Sequence, residues 1–183
     1  GDVEVDPDPG GDPRCKRAQE LGLPLVEMLG RAHEALPTSI TIGIKPTAEA
    51  LDEAREYLGR GFRVLKVKLG HAVEEDIERV TRLRELVGPG VTLRVDPNQG
   101  YTSGSLTRFV AATRDVDIEF LEQPLPAKDV AALRALPAEL RARIAADESL
   151  LEERDALALV RPTSACGIFN IKLMKCGGIT PAR

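Results

Sequence analysis

Six short apolar runs recur along this sequence, and each is followed by a turn and an amphipathic stretch of about 10–15 residues. The apolar runs lie at residues 39–44, 62–68, 91–96, 118–122, 143–147 and 167–172. The helical stretches between them lie at residues 48–58, 73–87, 105–113, 129–136 and 152–160. Strands that alternate with helices form parallel βαβ units with right-handed crossovers. The repeat therefore predicts an α/β fold built on a parallel sheet.

Two parallel architectures contain such a repeat, an open doubly wound sheet and a closed (β/α)8 barrel. An open nucleotide-binding sheet would carry a glycine-rich phosphate loop, but the sequence has neither GxGxxG nor GxxxxGK[ST]. A barrel places its functional residues at the carboxyl ends of its strands. The predicted strands end, at intervals of 25 to 28 residues, on Lys68, Asp96, Glu122, Asp147 and Lys172. We therefore expect a TIM-type barrel of which about six of the eight βα units are present.

Three of these strand ends are carboxylates, Asp96, Glu122 and Asp147, from neighbouring strands. Carboxylates that converge in a half-enclosed mouth repel each other and take up protons unless a cation holds them. Hard oxygen ligands suit Mg²⁺ best, and Mn²⁺ is the next candidate. The alternative for each acid is a helix cap or a surface ion pair. Three acids at matching positions favour the metal site.

A second group of charges comes from lysines at the same strand ends. Lys66 and Lys68 lie two residues apart in one strand, so they share a face at roughly 6.6–7 Å along it. We expect this like charge to lower the pKa of one lysine toward neutrality, which would make it a general base. The alternative is an exposed pair on an edge strand, but the apolar residues around them indicate a buried strand. Lys172 comes from the sixth strand, across the barrel.

A metal between two opposed lysines suggests a particular reaction. The proton on the carbon next to a carboxylate is weakly acidic, so its removal needs a base and stabilisation of the resulting enediolate. If one lysine removes the proton and the other returns one to the opposite face, the carbon is inverted. If only one lysine acts and a leaving group departs, the same site performs an elimination.

Composition excludes several other classes of partner. The chain has 183 residues, 25 basic and 29 acidic side chains and a formal net charge of −4. Five acids fall within residues 1–13, and the rest of the chain is nearly neutral. Six aromatic residues, no Trp and no basic excess argue against nucleic acid, and no apolar run approaches the ~18 residues of a membrane span. Three cysteines without CxxC spacing indicate neither disulfides nor a zinc site, so we expect a cytoplasmic protein. The partner that we expect is a small molecule with a carboxylate group.

Five segments of the sequence resemble the motifs of a known family. The segments at 64–70, 94–101, 120–124, 146–149 and 170–178 read VLKVKLG, RVDPNQGY, FLEQP, ADES and NIKLMKCGG. They resemble the enolase superfamily and, within it, the muconate-lactonizing subgroup with its KxK motif and opposed lysine. The closest likeness is to dipeptide epimerases of the L-Ala-D/L-Glu epimerase type. The resemblance implies the modified barrel of that superfamily.

The resemblance also implies roles for individual residues. Lys68 and Lys172 would be the acid/base pair, and Lys66 would tune Lys68 and touch the substrate carboxylate. The metal ligands for Mg²⁺ would be Asp96, Glu122 and Asp147. The supporting residues would be Asn98 and Glu148, beside the ligands, and Lys175, which either supports the site or solvates the start of a helix.

Members of this family also carry parts that this sequence does not contain in full. An α+β capping domain closes over the substrate, and an Asp-x-Asp pair on the last strand holds the amino group of a dipeptide. We therefore expect a chain truncated at both ends, with three parts. These are a disordered acidic tail at 1–13, a helical remnant of the segment joining cap and barrel at 14–37, and a partial barrel catalytic domain at 38–183.

Three functions remain open from the sequence. The first is a Mg²⁺-dependent epimerase acting on dipeptides or N-substituted amino acids. The second is a lyase or cycloisomerase on the same scaffold, such as an o-succinylbenzoate synthase or muconate cycloisomerase. The third belongs to another class: an inactive barrel fragment that only binds metal or self-associates as a homo-oligomer, because an unclosed barrel exposes two strand edges.

Overall fold

A computed structural model of the protein describes residues 13–179 and 182. The chain divides into two compact units. One unit is Pro37–Asn170, and the other combines Gly1–Leu36 with Ile171–Arg183. The predicted acidic tail at 1–13 lies outside the described residues, except for Pro13, which begins the first helix.

The unit Pro37–Asn170 is built on six parallel strands that pair in chain order. The strands are β1 (Ile40–Ile42), β2 (Val64–Lys68), β3 (Thr92–Asp96), β4 (Ile118–Glu122), β5 (Ile144–Ala146) and β6 (Ile168–Phe169). The helices of this unit are α3 (Thr47–Gly59), α4 (Val73–Val87), α5 (Ser103–Ala112), α6 (Val130–Ala135), α7 (Ala138–Arg141) and α8 (Glu153–Val160). This parallel α/β arrangement confirms the predicted fold class.

The second unit contains three short helices in the described residues. They are α1 (Pro13–Leu21), α2 (Leu25–Leu29) and α9 (Leu173–Cys176). The predicted helix at 14–37 is therefore shorter than expected, since residues 30–36 are not helical. Gly22 adopts a positive φ and Pro24 precedes α2, which accounts for the break between the first two helices.

Alternation along the strands separates the core from the site. In β2, Leu65 and Val67 are fully buried, whereas Lys66 and Lys68 lie on the opposite face and are only partly buried. The buried face packs against helix side chains such as Leu83. The predicted alternation of apolar and charged residues in this strand is therefore confirmed.

The helices begin and end where the local chemistry favours it. The helix α4 has three acidic residues in its first turn and Arg84 in its last, which complements the helix dipole. The helix α5 begins after Thr102, whose hydroxyl accepts a hydrogen bond from the Ser105 backbone N–H at 3.1 Å. The helix predicted at 129–136 corresponds to α6. The short helix α7, which the sequence pattern does not predict, begins directly after Pro137.

Two of the strands that are expected to end on a site residue stop before it. The strand β5 ends at Ala146, so Asp147 lies one residue beyond it. The strand β6 ends at Phe169, so Lys172 does not close a strand but precedes α9 in extended conformation. Within the described sheet β6 pairs with β5 alone, and the ladder ends with the bond from the Asn170 N–H to the Ala146 carbonyl. None of the helices in the described ranges is long and apolar enough to cross a membrane.

Candidate active site

The carboxyl ends of β2, β3, β4 and β5 bring most of the predicted site residues together. Register places Lys68 of β2 directly beside Asp96 of β3. Glu122 ends β4, which pairs with β5 just before Asp147. Asp96, Glu122 and Asp147 are only 1%, 3% and 3% exposed. Charged groups this deeply buried require partners.

Asp96 accepts hydrogen bonds on both of its carboxylate oxygens. Its Oδ2 lies 2.7 Å from Lys68 Nζ and 2.9 Å from Lys66 Nζ. Its Oδ1 accepts the backbone N–H of Asn98 at 3.0 Å. The two lysines of the KxK pair therefore converge on one carboxylate.

Lys66 also reaches the next strand. Its Nζ donates to Glu122 Oε1 at 2.7 Å, and the same oxygen accepts from Asn170 Nδ2 at 2.9 Å. Lys66 thus connects β2, β3 and β4 at their carboxyl ends. The sequence pattern does not single out Asn170, although this residue opens the motif at 170–178 and follows β6 directly.

The carboxylates around Lys66 raise its pKa. Burial lowers the pKa of Lys66, but hydrogen bonds and charges from Glu122 and Asp96 raise it more, so the pKa lies above the ordinary lysine value. The expectation of one lysine with a lowered pKa stays a prediction, and the like charge of Lys68 is not the dominant influence on the pKa of Lys66. The reason is distance, because carboxylate oxygens lie within hydrogen-bond range of the ammonium group.

The supporting residues Asn98 and Glu148 contact each other. Asn98 Nδ2 donates to Glu148 Oε1 at 3.1 Å, which links the loops after β3 and β5. Glu148 Oε2 is buried and has no hydrogen-bond partner among the described residues. Asn98 has a positive φ of 49°, a conformation that asparagine tolerates better than most residues.

A fully buried amide lies beside Glu122. Gln123 accepts the backbone N–H of Asp147 on its Oε1 at 2.9 Å, which ties the end of β4 to the end of β5. The sequence pattern does not single out this residue either. The only signal is its place directly after a candidate ligand, at a strand end, within the segment FLEQP.

Two predicted residues lie in the other unit. Lys172 precedes α9 and occupies its N-cap position, and Lys175 lies within this four-residue helix. The exposure of Lys175 is intermediate. The roles assigned to Lys172 and Lys175 stay predictions.

Two glycines let the loops after β2 and β3 meet at the site. A Cβ on Gly70 would lie 2.1 Å from the Pro97 carbonyl oxygen, and a Cβ on Gly100 would lie 2.2 Å from the Gly70 carbonyl oxygen. These distances are too short for any residue other than glycine at either position. Asp76 of α4 fastens the same loops, since its Oδ2 accepts from the Gly70 N–H and the Tyr101 hydroxyl, both at 2.8 Å.

A cavity of about 260 Å³ lies beside Lys66 and Glu122. Its lining includes Lys66, Arg94, Phe120, Glu122 and Asn170. The Arg94 guanidinium lies 5.1 Å from the centre of the Phe120 ring. Lys66 and Glu122 are therefore reachable from a space large enough for a small molecule.

The three buried carboxylates offer only hard oxygen ligands, which fit Mg²⁺ or Mn²⁺. In the structure as described, however, no group of three acidic, His or Cys side chains stands close enough to hold a metal ion. The ammonium group of Lys66 lies between Asp96 and Glu122 and neutralises them. A divalent ion bound by these oxygens would take over that neutralisation, so the donor chemistry of the residues present fits such an ion.

A model of the family described as enolase C-terminal domain-like matches residues 49–183. The chain belongs to this family. The predicted resemblance to the enolase superfamily is thereby confirmed.

The relatives that match most of this chain include epimerases. The L-Lys-D/L-Arg epimerase of Methylococcus capsulatus is 61% identical over 166 residues, which are 91% of this chain and 47% of that protein. The L-Ala-D/L-Glu epimerase of Bacillus subtilis is 38% identical over 168 residues, which are 90% of this chain and 46% of that protein. A crystal structure of a dipeptide epimerase from Methylococcus capsulatus, complexed with Mg and the dipeptide L-Arg-D-Lys, is also similar. The two structures match with a TM-score of 0.87 and 59% sequence identity, over 93% of this chain and 48% of that chain. The chain spans about half the length of these relatives.

Proposed function

We propose that the protein is a Mg²⁺-dependent epimerase that inverts the carbon next to the carboxylate of a dipeptide or an N-substituted amino acid. The observation that carries the proposal is the convergence of Lys66 and Lys68 on a buried carboxylate at the strand ends. Membership of the enolase C-terminal domain-like family and the likeness to epimerases support it.

Asp96, Glu122 and Asp147 would hold the metal ion. Their support is burial at the carboxyl ends of three neighbouring strands and the Mg present in the related dipeptide epimerase structure. When bound, Mg²⁺ supplies positive charge that stabilises the negative charge developing on the substrate carboxylate. Asn98 would hold Asp96 in place through its backbone N–H, and Glu148 would hold Asn98.

Lys68 would remove the α-proton, and Lys172 would return a proton to the opposite face. The side chain of Lys68 is one-third exposed, so a substrate at the carboxyl ends of the strands could reach it. Lys66 is more buried and carries a raised pKa, so it stays protonated and contributes positive charge beside the substrate carboxylate. This division gives the base role to the more accessible lysine.

We infer that dipeptides with basic side chains are the first substrates to test. The relative that is 61% identical is an L-Lys-D/L-Arg epimerase, and the related structure holds L-Arg-D-Lys. L-Ala-L-Glu is a suitable comparison substrate because the relative that is 38% identical is an L-Ala-D/L-Glu epimerase. The expected result is faster epimerisation of the cationic dipeptide.

The test uses protein expressed from the complete gene, incubated with L-Lys-L-Arg and Mg²⁺ in D₂O and followed by proton NMR. Wild type should incorporate deuterium at one α-carbon and form both epimers. Lys68→Ala and Lys172→Ala should each lose epimerisation by about 10²- to 10⁴-fold. Each single variant should keep exchange only for the epimer whose α-proton faces the remaining lysine.

The exposed Lys16 of α1 provides a matched control, and Lys16→Ala should behave as wild type. No deuterium incorporation by the wild type with any dipeptide or N-substituted amino acid would overturn the proposal. Loss of a leaving group from the substrate, instead of inversion, would point to a lyase.

A further inference from the structure

Gln123 makes four side-chain hydrogen bonds in a fully buried position. Its Oε1 accepts the backbone N–H groups of Asp147 at 2.9 Å and Ser149 at 3.0 Å. Its Nε2 donates to the Leu125 carbonyl at 3.0 Å and to Ser149 Oγ at 2.7 Å. The Ser149 hydroxyl donates its own proton to the Ala127 carbonyl at 3.0 Å, so it must accept from Gln123. Every donor and acceptor of the amide is used, and the orientation of the amide is fixed.

The backbone of Gln123 adds two bonds to neighbouring loops. Its N–H donates to the Ala145 carbonyl of β5 at 2.8 Å, and its carbonyl accepts the Gln99 N–H of the loop after β3 at 2.7 Å. Gln123 has a positive φ of 37°, an uncommon backbone conformation for a residue other than glycine. Such strain persists where surrounding bonds over-determine the conformation.

These bonds join the three strand ends that carry the candidate metal ligands. Gln123 follows Glu122 directly, its side chain holds the backbone of Asp147, and its carbonyl holds the loop that follows Asp96. We infer that Gln123 is a positioning residue that sets the spacing of Asp96, Glu122 and Asp147 and thereby the affinity of the site for a divalent cation. The inference rests on the proposed function, because it assumes that these carboxylates bind the metal.

Loss of the amide would free the ligands to move. Without Gln123 Oε1, the buried N–H groups of Asp147 and Ser149 lose their acceptor, and the loop has to shift to reach another one or water. Residues that orient metal ligands change metal affinity by about 10- to 100-fold when they are replaced. The loss of a hydrogen bond of equal strength elsewhere in the fold would lower stability without changing the affinity for the metal.

The decisive variant is Gln123→Met, which keeps the length of the side chain and removes all four bonds. The matched control is Thr113→Val, since Thr113 is also buried and its hydroxyl donates to the Phe109 carbonyl at 2.8 Å. Thr113 follows α5, at the end of that helix nearest the amino end of β4, away from the carboxylates. Mn²⁺ binding is measured by electron paramagnetic resonance, and thermal unfolding is measured in parallel without metal.

We expect Gln123→Met to weaken Mn²⁺ binding by about 10- to 100-fold and Thr113→Val to bind as wild type, although both unfold at lower temperature. Wild-type Mn²⁺ affinity in folded Gln123→Met would overturn the inference and leave the proposed function intact. A wild type that binds no Mn²⁺ would instead overturn the proposed function.

If Gln123→Met does not fold, Ser149→Ala decides the question. This variant removes the Ser149 hydroxyl that accepts from Gln123 Nε2, so the amide whose Oε1 holds the Asp147 N–H is no longer fixed in orientation. We expect Mn²⁺ binding to weaken by about two- to tenfold, in line with the loss of one buried hydrogen bond. Unchanged Mn²⁺ affinity in Ser149→Ala would then count against the inference.

Discussion

Lys66 shows at the residue scale how the site is stabilised. Two buried carboxylates from different strands would repel each other, and the Lys66 ammonium group lies within 2.9 Å of one and 2.7 Å of the other. The side chain of Lys66 is only 17% exposed, so water screens these interactions weakly. Lys66 therefore places a positive charge between the Asp96 and Glu122 carboxylates.

Replacement of Lys66 by Met should destabilise the metal-free protein by about 3 to 5 kcal/mol, because it removes the ammonium group that lies between two buried carboxylates. Saturating Mg²⁺ should reduce this loss, since a bound cation replaces the missing charge. Thermal unfolding with and without Mg²⁺ measures both effects. Arg17→Met is the control, because the exposed pair of Arg17 and Glu20 contributes little. An equal loss with and without Mg²⁺ would contradict the prediction.

Tyr101 is a second residue whose ionisation is tied to the fold. Its hydroxyl donates to Asp76 Oδ2, and Asp76 also accepts from buried Arg79 at 2.7 Å. Burial, followed by the negative charge of Asp76, raises the pKa of Tyr101 far above its ordinary value. The folded protein therefore holds a proton that the unfolded chain releases above about pH 10.

The expected consequence is a loss of stability at high pH. The contribution of Tyr101 is complete below about pH 10 and falls by up to about 1.4 kcal/mol per pH unit above it, because only the unfolded chain ionises there. The chain has two tyrosines, so in Tyr57→Phe the absorbance of tyrosinate at 295 nm reports on Tyr101 alone. That absorbance should rise only as the protein unfolds. Ionisation of Tyr101 while the circular dichroism is still native would refute this account.

At the scale of elements, the loops after β2 and β3 position the lysine pair against Asp96. Gly70 has a φ of 107° and lies against the backbone of the loop that holds Pro97 and Gly100. The β2 and β3 strands pair over their whole length, and their last residues are Lys68 and Asp96. A close backbone contact just beyond that pair fixes where both strands end.

Gly100→Ala should lower the stability of the protein by about 1 to 3 kcal/mol, because its Cβ would lie 2.2 Å from a backbone oxygen. It should also reduce epimerase activity, since the displaced loop follows Asp96. Gly104→Ala is the matched control: the nearest atom to its Cβ is 3.8 Å away, and alanine favours the helix α5 by about 0.5 to 1 kcal/mol. Urea denaturation measures both changes. Equal stability of the two variants would argue against the close contact.

At the scale of the whole unit Pro37–Asn170, the two ends of the sheet differ in character. Ionisable side chains lie at the carboxyl ends of the strands, whereas arginines bind backbone carbonyls near the amino ends. Arg84 donates to the carbonyl groups of Val91, Val116 and Asp117, which precede β3 and β4. In barrel folds the functional residues lie at the carboxyl ends of the strands, and residues at the amino ends serve stability.

Arg84→Met should therefore destabilise the protein without changing its chemistry. Loss of several hydrogen bonds from a charged donor predicts a decrease of about 2 to 3 kcal/mol in the free energy of unfolding. The exchange rate per folded molecule and the Mn²⁺ affinity should stay at wild-type values. Arg82→Met, on the exposed side of the same helix, is the control and should change neither. Reduced Mn²⁺ affinity in folded Arg84→Met would contradict the separation of the two ends.

The sequence by itself determined the fold class and most positions of the candidate ligands. Strand and helix periods are local properties, so alternating apolar residues predicted β2, β3 and β4 to within two residues, together with the ionisable groups that end them. The predicted end differs most from the structure at β6, which pairs with β5 alone in the described sheet and ends three residues before Lys172.

Only the tertiary structure decided which groups touch. The bonds of Lys66 to Asp96 and Glu122 and those of Gln123 to Asp147 join residues from different strands. The period of a strand tells which face a side chain occupies but not which atom it meets, because strand register and loop path depend on packing across the whole unit. The same physics raises the pKa of Lys66, since Coulomb energy depends on distances that only the folded chain sets.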